Sequence, residues 1–243
     1  MHEIYLESID STNTYAKQHA SHFAKDAITC ITAETQTGGR GRFQKTWASP
    51  PGVNLYLTFF FRLSARQPDL SAIGLVLAAS LASVLIQEGL SPQIKWPNDL
   101  QLGGKKMSGI LCEISRAQSM VDVILGIGVN VNMEEKDLLH IGQAATSLKQ
   151  ETKRPWDRKD LLQKLQAQFE GDLASFKIGG FAPFHNLCER LLAYKEEKVR
   201  CLEGHQERVG ICDSLAMDGR LNIRFPDHSL YTLASGEISL RKV

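Results

Sequence analysis

The chain has 243 residues, 43% hydrophobic and 23% charged, enough to bury a sizeable core in one large domain or one large plus one small. Its 28 Lys+Arg stand against 27 Asp+Glu, a formal net charge of +1, so no global field draws it to nucleic acid or an anionic membrane and any basic site is local. The five cysteines form no C-x-x-C pair and no zinc-ligand spacing with histidine; they read as reduced, mostly buried thiols of a cytoplasmic protein.

The first residues, MHEIYLESIDSTN, carry acids where a secretion signal needs a cationic start and an apolar centre. Ser11 or Asp10 is placed to cap a helix running through Tyr15 and Ala16 toward Ala20, because a short side-chain oxygen there accepts an orphan backbone N–H. Ala27 to Ala33 is rich in β-branched residues and bounded by turn formers, and reads as a strand that feeds the loop TQTGGRGRFQKTW, Thr35 to Trp47. Val53 to Phe61 is a second strand, apolar on both faces at its end. Leu70 to Glu88 is predicted as a helix stopped by Gly89 and Pro92; its apolar run Ile73 to Ile86 is broken by Gly74, Ser80 and Ser83 and is too short to span a bilayer.

Three strand-like pieces come next, Gln93 to Trp96, Lys106 to Ile114 and Met120 to Val131. Gly103 and Gly104 lie between the first two and predict a hairpin, since positive φ costs glycine little. Such close spacing favours a mixed or antiparallel sheet over a doubly wound parallel one, which needs a helix between each pair. Helices predicted over Asp157 to Phe176 and Phe181 to Lys195 make the domain α+β. From about Glu197 short alternating strands, Val199 to Leu202, Arg208 to Cys212, Arg220 to Phe225 and Ser229 to Leu233, predict a small β-barrel. The expected division is therefore 1–196 and 197–243.

The loop at 35–47 sets glycines among cations, which suits a linker, a nucleic-acid arm or a cradle for an anion. Backbone N–H groups and guanidinium forks approach phosphate oxygens closely where no Cβ obstructs them. Lys95, Trp96, Pro97, Asn98 and Asp99 put a cation, an aromatic and polar side chains at a strand end, and Lys105 and Lys106 come just beyond. An inward Lys106 would neutralise a carboxylate or phosphate; spacing alone favours the plainer reading, two exposed hairpin charges. Gly126 to Asn130 lacks the third glycine of a dinucleotide fingerprint, and Gly104-Lys105 lacks the hydroxyl and upstream glycine of a phosphate-binding Walker loop. The seven histidines are scattered, and no nucleophile-base triad is supported by local pattern. What remains is a site that works by anion stabilisation and positioning, as adenylation chemistry does.

Taken together, Ser11-Thr12-Asn13, GRGR at 39–42 followed by Trp47, KWPNDL at 95–100, GKKMSGIL at 104–111, GIGVNVN at 126–132 and GEISLR at 236–241 resemble the biotin protein ligases. The resemblance spans nearly the whole chain in order. It implies a catalytic domain like the class II aminoacyl-tRNA synthetase core with an SH3-like C-terminal barrel. It also implies a two-step reaction: biotin and MgATP give biotinyl-5′-AMP, and biotin then passes to one lysine of a biotin carboxyl carrier protein. ATP and Mg²⁺ are thus expected as co-substrate and ion, with no redox cofactor. By motif position, Ser11, Thr12, Asn13, Gln36, Gly39, Arg40, Gly41, Arg42, Lys106 and Gly109 are expected around biotin, with Lys106 and Arg42 catalytic. Trp47, Asn98, Asn130 and Arg241 are expected around the nucleotide, and the metal ligands are unassigned.

The chain departs from many members at Phe43-Gln44, where they carry further basic residues and a glycine, and no room for a winged helix-turn-helix exists before Ser11. DNA binding is therefore not carried over. The rivals are a lipoate-protein ligase of the same fold and a nucleic-acid-binding module using the basic loop, which would need a broader basic face. Dimers are frequent in the family, and the apolar strand 121–131 could supply an edge; the sequence does not fix the subunit count.

Overall fold

Strand β1 (His2–Ile9) lies parallel to β2 (Thr29–Gln36), with helix α1 (Thr12–His19) in the connection. The structure is a computed structural model and describes residues 1–117, 119–203, 206–233 and 238–242. Then come β3 (Leu55–Ser64), α2 (Ile73–Gln87), β4 (Gln93–Lys95), β5 (Asp99–Leu102), β6 (Lys105–Ala117) and β7 (Met120–Val129). The seven strands form one mixed sheet in the order β1-β2-β3-β7-β6-β5-β4, in which only β1 and β2 run parallel. Helices α3 (Glu135–Leu138), α4 (Leu148–Thr152), α5 (Arg158–Gly179) and α6 (Ala182–Arg190) complete this part. The helix expected to reach Lys195 thus ends at Arg190, and the chain instead pairs with the sheet: Ile94 N–H donates to the Leu191 carbonyl at 2.8 Å, and Ala193 N–H to the Ile94 carbonyl at 2.9 Å.

Side-chain alternation explains why β3 is apolar throughout. Phe59 and Phe61 point into the main core beneath α2 and α5, where both meet Phe169, while Phe60 points the other way into a small core with Ala16 of α1, Ile31 and Ile124. Helix α2 is apolar all round because it is buried all round, with Ser80 satisfied by the Val76 carbonyl and Asp172. By length and composition Leu70–Gln87 would pass for a membrane span, yet it is the central core helix.

Two expectations need correction. Strand β1 is not among the predicted elements; its largely exposed pattern leaves little periodicity to read. The Gly103-Gly104 turn, with φ of 55° and 74°, does form a hairpin, but between β5 and β6, because the KWPND stretch makes its own turn between β4 and β5 through a cis Trp96-Pro97 bond.

Past α6, strands β8 (Lys198–Glu203), β9 (Gln206–Leu215), β10 (Leu221–Arg224), β11 (Leu230–Leu233) and β12 (Ile238–Lys242) form an antiparallel sheet in the order β11-β10-β9-β8-β12. Its β9–β10 turn docks on the main body. Trp96 Nε1–H donates to the Gly219 carbonyl at 2.9 Å, and Gly219, at φ 84°, sits so close that a Cβ would fall 2.8 Å from the Ala72 Cβ.

Candidate active site

One cleft gathers the start of α1, the end of β2, the basic loop, the β4–β5 turn and the middle of β6 and β7. Ser11 has the extended N-cap conformation of α1, but its side chain makes no capping bond; its own N–H donates to Asp10 Oδ1 at 2.6 Å. The expected cap is therefore absent, and the Ser11 hydroxyl is left to the cleft. Thr12 donates from N and Oγ1 to Gln36 Oε1 at 2.9 and 3.2 Å, and Gln36 Nε2 donates to Ser49 Oγ at 3.1 Å. Asn13 is buried, its Oδ1 accepting from Thr58 at 2.6 Å and its Nδ2 donating to Glu113 Oε2 at 2.9 Å.

The basic loop is a folded hairpin. Gly41 N–H donates to the Lys45 carbonyl at 2.7 Å and Trp47 N–H to the Gly39 carbonyl at 2.9 Å. A Cβ on Gly39 would stand 2.6 Å from the Trp47 carbonyl oxygen, so glycine there permits the close pass of the two arms. Arg40 reaches Thr14 Oγ1 at 3.2 Å and Glu113 at 3.5 Å. Arg42 donates to Asn98 Oδ1 at 3.3 Å and lies 5.0 Å from the centre of the Phe43 ring; burial lowers its pKa and the nearby Asp99 opposes that shift. Phe43 holds φ at 56°, the left-handed region that favours glycine.

Trp47 lies flat on the sheet. Gly109 of β6 and Gly128 of β7 are direct cross-strand partners, and a Cβ on either would come within 2.9 and 2.3 Å of the indole. Two residues along β7, a Cβ on Gly126 would fall 2.2 Å from Asn13 Oδ1. The glycines that read as a failed dinucleotide fingerprint are thus gaps that admit Trp47 and Asn13.

Lys106 Nζ sits 2.8 Å from Asp99 Oδ1 and 5.4 Å from the Trp47 ring centre. Its N–H and carbonyl are bonded to Ala144 and Thr146, so a further stretch of chain flanks it and only Lys105 is an exposed hairpin charge. The plainer reading of the lysine pair therefore fails for Lys106.

The biotin/lipoate A/B protein ligase family matches residues 5–130, the span that holds nearly all of this geometry. The chain belongs to this family. Among curated proteins it is similar to the bifunctional ligase/repressor BirA of Escherichia coli K12, 33% identical over 97% of this chain and 73% of that protein. It is also similar to the biotin–[acetyl-CoA-carboxylase] ligase of Paracoccus denitrificans, at 31% identity over 91% of this chain and 93% of that one. The solved structure of biotin protein ligase from Aquifex aeolicus in complex with biotin and ATP superposes with a TM-score of 0.85 at 32% identity, covering 100% of this chain and 99% of that one.

In this biotin/lipoate ligase chain the cleft wall brings together Ser11, Thr12, Asn13, Gln36, Arg40, Gly41, Arg42, Trp47, Asn98, Lys106 and Gly109. Gly39 shapes the loop from behind. Asn130 is buried behind the wall, with Nδ2 donating to the Thr146 carbonyl at 3.0 Å. The Arg241 backbone, in β12, pairs with Arg200 of β8, and the Arg241 side chain lies outside the described residues. Among the described residues no group of three or more His, Cys, Asp or Glu could hold a metal ion. Sequence reasoning missed Asp99, Thr58, Glu113, Gly126 and Gly128. Asp99 was within reach, standing inside the KWPND stretch; the others act through partners 45 or more positions away.

Proposed function

We infer that the chain is a biotin protein ligase. The carrying observation is the junction of two environments in one cleft: uncharged hydroxyl and amide groups at Ser11, Thr12, Asn13 and Gln36, and cations Arg42 and Lys106 beyond them. A neutral cyclic urea needs donors and acceptors without charge, whereas a carboxylate meeting a triphosphate needs its repulsion cancelled. A biotin carboxylate oxygen attacks the α-phosphorus of ATP, the bond to the β-phosphate oxygen breaks, and pyrophosphate leaves. The neutral amine of a carrier lysine then attacks the acyl carbon of the mixed anhydride, AMP leaves, and the amide nitrogen loses a proton. Lys106 and Arg42 stabilise the negative charge gathered in both steps.

Mg²⁺ is commonly held through substrate phosphates and one or two carboxylates, keeping several waters. Asp99 is the one carboxylate among the described residues of the cleft wall, and that donor set suits an ion arriving on ATP. Trp47, Asn98, Asn130 and Arg241 are assigned to the nucleotide side. The same reading takes residues 1–196 as the catalytic domain and 197–243 as an SH3-like barrel, with the biotin carboxyl carrier protein as acceptor. Cys30, Cys188, Cys201 and Cys212 are buried and in no disulfide, which suits a cytoplasmic protein.

Thermal shift with biotin plus MgATP, against lipoate plus MgATP, tests the substrate. A rise with biotin alone is expected, since a ligand that binds only the folded state stabilises it. A rise with lipoate alone would transfer the chain to the lipoate branch. Incubating enzyme, labelled biotin and ATP with a cell extract then identifies the carrier.

A further inference from the structure

Glu113 lies on β6 just behind the cleft, and one of its oxygens serves two groups at once. Oε2 accepts from Asn13 Nδ2 at 2.9 Å and stands 3.5 Å from Arg40 Nη2 of the basic loop. We propose that Glu113 is a positioning residue that fixes the hydrogen-bond polarity of the ring-facing network Asn13–Thr58–Thr12 and ties Arg40 to it. The inference rests on the ligase reading for its substrate and on geometry alone for the polarity.

The two ends of an Asn amide are nearly alike in shape, so its orientation is set by what surrounds it. One end of Asn13 faces Glu113 Oε2 and the Leu111 carbonyl at 3.3 Å, both acceptors, so the NH₂ must lie there. Oδ1 therefore faces Thr58, whose single hydroxyl proton is committed to it at 2.6 Å. Toward Thr12, 2.8 Å away, Thr58 can then only accept. Thr12 must spend its own proton on Thr58 or on Gln36, and its free lone pair turns to the cleft as an acceptor. An acceptor at that wall suits a ring N–H of a cyclic urea. Replace Glu113 by an apolar residue and the charged acceptor that biases the amide disappears. A flipped Asn13 would donate to Thr58, Thr58 to Thr12 and Thr12 to Gln36, a chain of the opposite sense that spends a Thr12 lone pair on Thr58 and is then opposed only by the longer Leu111 carbonyl contact. Glu113, charged and at 2.9 Å, is the stronger of the two acceptors that make the senses unequal.

The test compares Glu113→Ala with Glu113→Gln, whose carbonyl still accepts from Asn13 but carries no charge for Arg40. For Glu113→Ala the expected result is a biotin KM raised about tenfold in biotin-dependent ATP–pyrophosphate exchange, with Glu113→Gln within about threefold of wild type. Both should release preformed biotinyl-AMP several-fold faster than wild type, and adding Arg40→Ala to either should change that release no further. The Asn13 side-chain amide resonances in ¹⁵N NMR should move in Glu113→Ala and stay near their wild-type positions in Glu113→Gln. Unmoved Asn13 resonances in Glu113→Ala, or a Gln variant as impaired as the Ala variant, would overturn the proposal. Should Glu113→Ala not fold, the Gln variant decides alone: retained Asn13 resonances with faster release support the proposal, and shifted resonances overturn it. Absence of biotin-dependent exchange in the wild type would instead remove the ligase reading, and the NMR comparison would still judge the polarity.

Discussion

Asp99 and Lys106 pair at 2.8 Å across the β5–β6 hairpin, with only 14% and 17% of their side chains exposed. The lysine that faces the cleft is thus held in place by a carboxylate on the neighbouring strand, so its position does not depend on a flexible stem. Lys106→Ala is expected to lower adenylate formation by ~10²–10³. It should also cost about 1–3 kcal/mol of stability, because Asp99 is left without its counter-charge. Adding Asp99→Asn should return the stability and leave the activity lost. Pyrophosphate exchange and urea unfolding on the single and double variants check both halves, and a fully active Lys106→Ala would contradict the role assigned to the amine.

Gly128→Ala is expected to dislodge Trp47, since its new Cβ would meet the indole at 2.3 Å. Overpacking of this sort costs ~1–3 kcal/mol. Gly171→Ala in α5, where nothing lies within 4 Å, should instead stabilise by about 0.5–1 kcal/mol. Tryptophan emission together with unfolding midpoints separates the two, and equal effects would show that the slot is not tight.

Trp96→Phe keeps an aromatic ring in the core but removes the donor to the Gly219 carbonyl, together with part of the buried indole. A loss of at least ~1–3 kcal/mol is expected, the cost of stranding a buried acceptor, with the smaller ring's cavity adding to it. Because that bond joins the C-terminal sheet to the body, hydrogen exchange in the β9–β10 turn should rise with it. Unchanged protection there would mean the turn is held by packing alone.

Burial pushes the Cys30, Cys188 and Cys212 thiols up from an ordinary 9.0 to about 12. Their stabilising contribution is complete below pH 9, where the unfolded thiols are also protonated. As pH climbs from 9 to about 12 the unfolded chain ionises first, so stability falls across that window and levels off above it. Chemical denaturation at pH 8 and pH 10.5 should show the drop, and replacing Cys188 by Ala should make it shallower. At pH 8 a thiol reagent should leave these three unmodified until the protein unfolds.

Local patterns carried much of the fold. The helix expected over 70–88 is a short 3₁₀ turn at Leu70–Ala72 followed by α2, and the helix expected over 157–176 starts on an Asp157 side chain that does accept from Lys159 and Asp160. Strand β1 escaped because its apolar face is short, Ile4 and Leu6 only partly buried against the small core, and its parallel partner is set by contacts 27 residues away. The site was legible where a side chain reaches into the cleft. It was not legible where the chemistry lies in what is missing, as at Gly126 and Gly128, or in a partner from another strand, as at Glu113. At Asn130 nothing in the motif signals that the amide also ties the strand end to the Thr146 carbonyl.

The glycine pair under Trp47 also bears on how such a protein can be altered. The loop and the two strands are fitted to each other as a key to a cut, the aromatic on one segment and the missing side chains on two others. Exchanging the loop alone for that of a relative with a different residue at position 47 would leave either a hollow over Gly109 and Gly128 or a collision with them. Loop and strands are therefore one heritable unit, and substitutions that look distant in the chain are expected to be tolerated only together.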